Sequence, residues 1–149
     1  MSLSLYEQDY QLWLAKTIAF LKMGELKQLD REHLIEELED LGRSEKRAAF
    51  SYLMRLCEHL LKLKYWEQER EQCFRHWRRE IVNFRLQIQF ILDNSPSLRN
   101  YLQEQFAAAY QAGRELFLAA SGFNEQHIPK EPEFSFDQAL DKHWLPWQL

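Results

Sequence analysis

Apolar residues recur at spacings of three and four along most of the chain, the periodicity of an amphipathic helix. The first run covers residues 5–23 and stops at Gly24, a residue suited to the left-handed end of a helix. The second begins after Asp30, a good N-cap, and keeps its phase through Gly42. A glycine inside a helix costs only about 1 kcal/mol relative to alanine. We therefore expect one long helix over residues 31–65, with a helix end at Gly42 as the alternative.

Two more long helices follow. "NSPSLR" separates them, and we expect Ser95 to cap the later one, with Pro96 in its first turn. Gly122 is expected to end that helix, and the capping-box spacing of Ser135 and Gln138 predicts a short last helix. The third helix has the most regular apolar seam: Phe74, Trp77, Ile81, Phe84, Ile88 and Ile91.

These patterns predict an all-α protein: a four-helix bundle with a long second helix and a short C-terminal helix. With 149 residues the chain suits one domain, and 4 glycines and 4 prolines are few for a strand-rich fold. We expect a single helical domain over residues 1–149, made of a core bundle over 5–120 and a C-terminal lid over 123–149.

Composition indicates a cytoplasmic protein that does not enter a membrane. No apolar run approaches the roughly 20 residues of a membrane span. The N-terminus lacks the positive region of a signal peptide. Cys57 and Cys73 show no CxxC spacing and are expected to be reduced thiols. The net charge of −4 argues against a dedicated nucleic-acid binder.

The stretch "HLIEELEDLGRSEKR" gathers carboxylates around a thin apolar seam. We interpret it mainly as the solvated face of a helix, with Glu36 and Glu39 exposed. Glu37 and Glu45 lie on or beside the seam, and His59 shares its heptad phase. Together with Asp9 of the first helix, these three form a predicted inward polar cluster.

A metal site is the sharper alternative for part of that cluster. Asp9, Glu37 and His59 offer ligand types that divalent ions accept. A chain using them in this way would be a metal-dependent hydrolase. The cluster lacks the Glu-x-x-His spacing of di-metal bundles, because Glu58 and His59 are adjacent.

A second candidate site is the basic, aromatic segment over residues 62–85, which holds seven bases against four acids. Arginines beside aromatic rings suit phosphate contact and base stacking. Pairing of these arginines with the acidic residues in 30–45 is the favoured alternative, since the chain is negative overall. The predicted basic patch comprises Arg70, Arg75, Arg78, Arg79 and Arg85.

Several stretches, in order along nearly the whole chain, resemble the bacterial domain-of-unknown-function family numbered 29. They are "YEQDYQLW", "LIEELEDLGRSE", "HLLKLKYWEQER", "SPSLR" and "FSFDQALDKHWLP". The resemblance implies a compact all-helical fold and implies no reaction. Asp9, Glu36, Glu37 and His59 fall on its motif positions, whereas "RHWRRE" departs from its pattern.

No nucleotide-binding, nucleophile or zinc-protease motif occurs in the sequence. We therefore expect a non-enzymatic helical interaction or regulatory module without a cofactor, acting as a homodimer or with a protein partner. Trp66, Trp144 and Trp147 are expected to be exposed anchors for that partner. Binding of nucleic acid or phosphate through residues 62–85 is the alternative from another class.

Overall fold

The computed structural model describes residues 2–149, and helices make up its regular structure. No strand occurs within that range, and none of its helices has the length and apolar character needed to cross a bilayer. The expected all-α fold is confirmed, with four long helices, the second of them the longest, and a short C-terminal one. The α-helices are α1 (Leu5–Gln8), α2 (Tyr10–Met23), α3 (Arg31–Tyr65), α4 (Glu67–Asn94), α5 (Leu98–Ser121) and α6 (Phe136–Leu140).

The first predicted helix is wrong in one respect, because Asp9 divides it. Its backbone is extended (φ −151°, ψ 90°), and its side chain accepts a hydrogen bond from the Leu12 N–H at 3.0 Å. An aspartate that caps a following helix in this way competes with continuation of the preceding one. Gly24 ends α2 in the left-handed conformation, at φ 72°, as predicted.

Continuity of α3 through Gly42 is confirmed, and the carboxylate of Asp30 accepts from the His33 N–H at 3.3 Å in its first turn. The boundary between α4 and α5 differs from the prediction. Ser95 is the last residue of α4's C-terminal turn, and Ser97 stands at the start of α5. The backbone of Ser95 is non-helical (φ −136°, ψ 75°), because the residue before a proline avoids helical backbone angles.

The chain divides into two compact units, and α3 runs from one into the other. The N-terminal unit is the described chain up to Ser44, and the C-terminal unit is Glu45–Leu149. The described part of the N-terminal unit buries only Trp13 and Thr17. The C-terminal unit holds the hydrophobic core, whose fully buried members include Leu53, Leu56, Leu60, Ile81, Ile88, Leu102, Tyr110 and Phe117.

Helices α3 and α5 approach backbone to backbone at Gly113. A Cβ atom there would lie 2.6 Å from the carbonyl oxygen of Met54 and 2.9 Å from the amide nitrogen of Glu58. Glycine is the residue that permits such an approach.

The segment after α5 forms part of the core. Phe134, Phe136 and Ala139 are buried, and the side chain of Arg85 on α4 holds this segment in place. Arg85 Nε donates to the carbonyl oxygen of Ala139 at 2.8 Å, and Nη2 donates to that of Trp144 at 2.9 Å.

Candidate functional site

Glu37 is the centre of a tyrosine–carboxylate cluster in the N-terminal unit. The Tyr6 hydroxyl donates to Oε1 of Glu37, and the Tyr10 hydroxyl donates to Oε2 at 2.6 Å. The hydrogen bonds to Glu37 raise the pKa of both tyrosines. Glu37 is half-buried, and its two carboxylate oxygens connect α1 and α2 to α3. Helical periodicity does not reveal these hydrogen-bond partners, because it treats a tyrosine on an apolar stripe as an apolar residue.

His33 and Asp30 form an ion pair beside this cluster, with Nδ1 and Oδ2 2.6 Å apart. The Tyr6 ring stacks on the His33 ring with their centroids 4.1 Å apart. The hydrogen bond to Asp30 raises the pKa of His33, and the same bond lowers the pKa of the Asp30 carboxyl. The pair therefore stabilises the start of α3.

His59 lies in the C-terminal unit and is buried. Its Nδ1 lies 2.8 Å from the carbonyl oxygen of Arg55, and its ring meets the Phe84 ring edge-on. Burial lowers the pKa of His59. The neighbouring Glu58 is also buried, with Oε2 3.5 Å from Nζ of Lys62 and Oε1 without a hydrogen-bond partner among the described residues. Helical periodicity does not predict the burial of Glu58, because it does not reveal the close approach of α5 to α3 at Gly113.

The two histidines are expected to change stability with pH in opposite directions. His33 has a raised pKa in the folded state, so its contribution is present below about 6.5 and is lost as pH rises through the folded value. His59 has a lowered pKa, so stability falls as pH falls from about 6.5 towards the folded value. A ¹³C–¹H NMR titration measures the pKa of each histidine ring in the folded protein, and the His33→Gln and His59→Gln variants assign the two signals. Matching midpoints for the two rings would contradict the expectation.

The remaining members of the predicted polar cluster have separate partners. Asp9 is exposed and caps α2, so it does not turn inward. Glu45 is half-buried and accepts a hydrogen bond from the Ser95 hydroxyl at 2.7 Å. Asp9 and Glu37 belong to the N-terminal unit, while Glu45 and His59 belong to the C-terminal unit.

Residues 2–149 contain no group of three or more His, Cys, Asp or Glu side chains arranged to hold a metal ion. The proposal of Asp9, Glu37 and His59 as metal ligands stays a prediction, and no geometry supports it.

Two arginines of the predicted basic patch have structural contacts. Arg70 donates to the carbonyl oxygens of Leu63 and Lys64, at 3.1 and 3.2 Å, and its guanidinium lies 4.3 Å from the centre of the Trp147 ring. It thereby satisfies carbonyls at the end of α3 that have no partner within the helix. Arg85 is buried against the C-terminal segment. Arg75, Arg78 and Arg79 are the exposed members.

These three arginines border a groove between α4 and the end of the chain, which we call the basic groove. It consists of three adjoining hollows of about 520, 340 and 240 Å³. Lys142 adds a further positive charge to its rim, and no Asp or Glu side chain lines any of the three hollows. Its apolar lining is Phe74, Val82, Leu86, Leu140, Leu145 and Leu149.

A second surface lies on the N-terminal unit. A hollow of about 760 Å³ at its α2–α3 connection is lined by Leu26, Leu29, Leu34, Ile35 and Leu38, with Lys27 and Arg31 at its edge. We call the wider surface the N-terminal apolar face and define it by six exposed members: Ile18, Leu21, Leu26, Ile35, Leu38 and Leu41.

The three tryptophans expected as exposed anchors are half-buried instead. Trp66 stacks on Trp77 with ring centroids 5.7 Å apart, and Trp144 packs against Phe134 at 5.8 Å. Trp147 lies under Arg70. The exposed apolar side chains are therefore mainly aliphatic residues of the N-terminal unit.

All of the regular structure in the described residues is helical, which defines an all-α protein. No curated protein and no solved structure matches the chain. The chain belongs to the family described as Domain of unknown function DUF29, whose model matches residues 5–145. The family resemblance seen in the sequence motifs is confirmed.

Proposed function

We propose that this protein is a non-enzymatic helical interaction module that forms a homodimer through the N-terminal apolar face. One observation carries the proposal: in residues 2–44 only Trp13 and Thr17 are buried, while ten large apolar side chains are between 41% and 69% exposed. Monomeric proteins rarely leave apolar patches of this size uncovered.

The exposed area is sufficient for a stable dimer. At roughly 100 Å² for each of the six side chains of this face, one protomer offers on the order of 600 Å². Two copies together then reach about 1,200 Å², the lower end of the range for specific, stable interfaces.

The spacing of the apolar residues supports a second copy as the occupant. Two helices of the N-terminal unit carry stripes at three-four spacing, Leu14–Ile18–Leu21 on α2 and Leu34–Leu38–Leu41 on α3. Two such helical pairs associate as a four-helix bundle. A two-fold dimer places the same patch on both sides, and an apolar stripe without charges is self-complementary.

We expect the module to act in the cytoplasm. Cys57 and Cys73 are free thiols, and Cys57 is buried in the core, where burial raises its pKa. Unpaired cysteines are typical of proteins in a reducing compartment.

Light scattering coupled to size-exclusion chromatography, under reducing conditions, tests the dimer. We expect a mass near 36.2 kDa, twice the 18.1 kDa of one chain. Leu38→Glu is expected to give the single-chain mass with its helical circular dichroism retained, because a charge in the seam is desolvated without a partner. Leu86→Glu on α4 is the matched control and should stay dimeric. A wild-type chain that remains monomeric at every soluble concentration would refute the proposal.

A further inference from the structure

We infer that the basic groove of the C-terminal unit binds an acidic amphipathic helical segment of a partner protein. This surface is separate from the N-terminal apolar face, and its role does not depend on self-association. The inference rests on two properties of the groove: an apolar floor that is open to solvent and a rim whose charged side chains are all basic.

The floor follows one face of α4. In the floor, Val82 and Leu86 lie one helical turn apart and are 44% and 50% exposed. Leu140 and Leu149 border the same hollows from the C-terminal segment. A row of apolar side chains beside a groove matches the i, i+3/i+4 and i+7 anchors of a docked amphipathic helix.

The rim supplies the charge selectivity. Arg75, Arg78, Arg79 and Lys142 are exposed, and none of them takes part in an ion pair in the described chain. Because no Asp or Glu side chain lines the groove, the carboxylates of a partner would meet these charges without competition from an acidic side chain of the lining. Carboxylates on a partner helix fit arginine side chains through paired hydrogen bonds.

The aromatic rings of the groove favour a peptide over a nucleic acid. Binding of single strands uses open aromatic faces on which bases stack. Here Phe74 is the only Phe, Tyr or Trp among the described lining residues; it is half-buried and meets the Trp147 ring edge-on with centroids 5.6 Å apart. The exposed floor residues Val82 and Leu86 are aliphatic, and aliphatic side chains suit leucine or isoleucine anchors better than phosphates.

Fluorescence anisotropy with a labelled, end-capped peptide ELLEELLEELLEEL tests the inference. We expect saturable binding that weakens as salt rises, and a loss of about tenfold or more in affinity for the Arg78→Glu/Arg79→Glu variant. Val82→Asp should also weaken binding, because the apolar floor is interrupted. The matched control is Arg47→Glu/Arg55→Glu, which makes the same charge change at exposed positions of α3 and should bind as the wild type does.

The basic peptide KLLKKLLKKLLKKL and an oligothymidylate are the competing probes. Equal binding of the basic peptide, or acidic-peptide binding that both double variants leave unchanged, would overturn the inference. Tighter groove-dependent binding of the oligonucleotide would overturn it in favour of a nucleic-acid site. Repeating the titration with Leu38→Glu separates this result from dimer formation, since the groove lies entirely in the C-terminal unit.

Discussion

Replacing Gly113 with alanine is expected to lower the free energy of unfolding by about 3 kcal/mol. The added methyl group would lie 2.6 Å from the Met54 carbonyl oxygen and 2.9 Å from the Glu58 amide nitrogen. Both are backbone atoms within α3, so no side chain can move aside, and α3 and α5 must separate. Chemical unfolding followed by circular dichroism measures the change as a lower midpoint at an unaltered slope.

Gly42→Ala is the matched control, because it makes the same chemical change in the same protein. Gly42 is also helical, but nothing lies within 4 Å of a Cβ atom placed there. Alanine is the better helix former, so this variant is expected to gain up to about 1 kcal/mol. Similar losses in the two variants would show that the close approach at Gly113 is not the cause.

Arg85→Leu is expected to free the C-terminal segment and to cost about 3 kcal/mol. Burial lowers the pKa of Arg85 to about 10, so the guanidinium stays charged at neutral pH and donates strong hydrogen bonds. Leucine fills part of the space but leaves the carbonyl oxygens of Ala139 and Trp144 without their donor. Buried carbonyls without a donor are costly, so we expect residues 136–145 to lose protection in hydrogen–deuterium exchange before the rest of the C-terminal unit does.

Arg79→Leu controls for the loss of a positive charge on α4, because Arg79 is exposed. Its exchange pattern and unfolding midpoint should match those of the wild type. Unchanged protection of residues 136–145 in Arg85→Leu would contradict the role assigned to the buried guanidinium.

The extents and the sequence of the long helices were predictable, because the three-four spacing of apolar residues repeats over many residues. This spacing correctly predicted that α3 continues through Gly42, where the low helix propensity of glycine alone would predict a helix end. Local competition was harder to predict. Asp9 was expected inside the first helix and Ser95 at the start of the later one, but Asp9 caps α2 and Ser95 stands at the C-terminal end of α4.

The candidate sites were less predictable, since burial of a charged residue depends on partners far away in sequence. Arg85 finds its carbonyls more than fifty residues later, and Glu37 finds its tyrosine hydroxyls about thirty residues earlier. The N-terminal unit shows the opposite case. Leu38 and Leu41 follow a regular stripe that predicts burial, yet they stay exposed because the unit provides no second layer over them.

The place of the C-terminal segment in the core has a consequence for biosynthesis. Phe134, Phe136 and Ala139 complete the core of the C-terminal unit, so that unit cannot finish folding until they have left the ribosome. The N-terminal unit needs none of them, and N-terminal units generally fold first during synthesis. Neighbouring nascent chains on one messenger RNA would therefore present the N-terminal apolar face early, and we expect pairing to begin co-translationally.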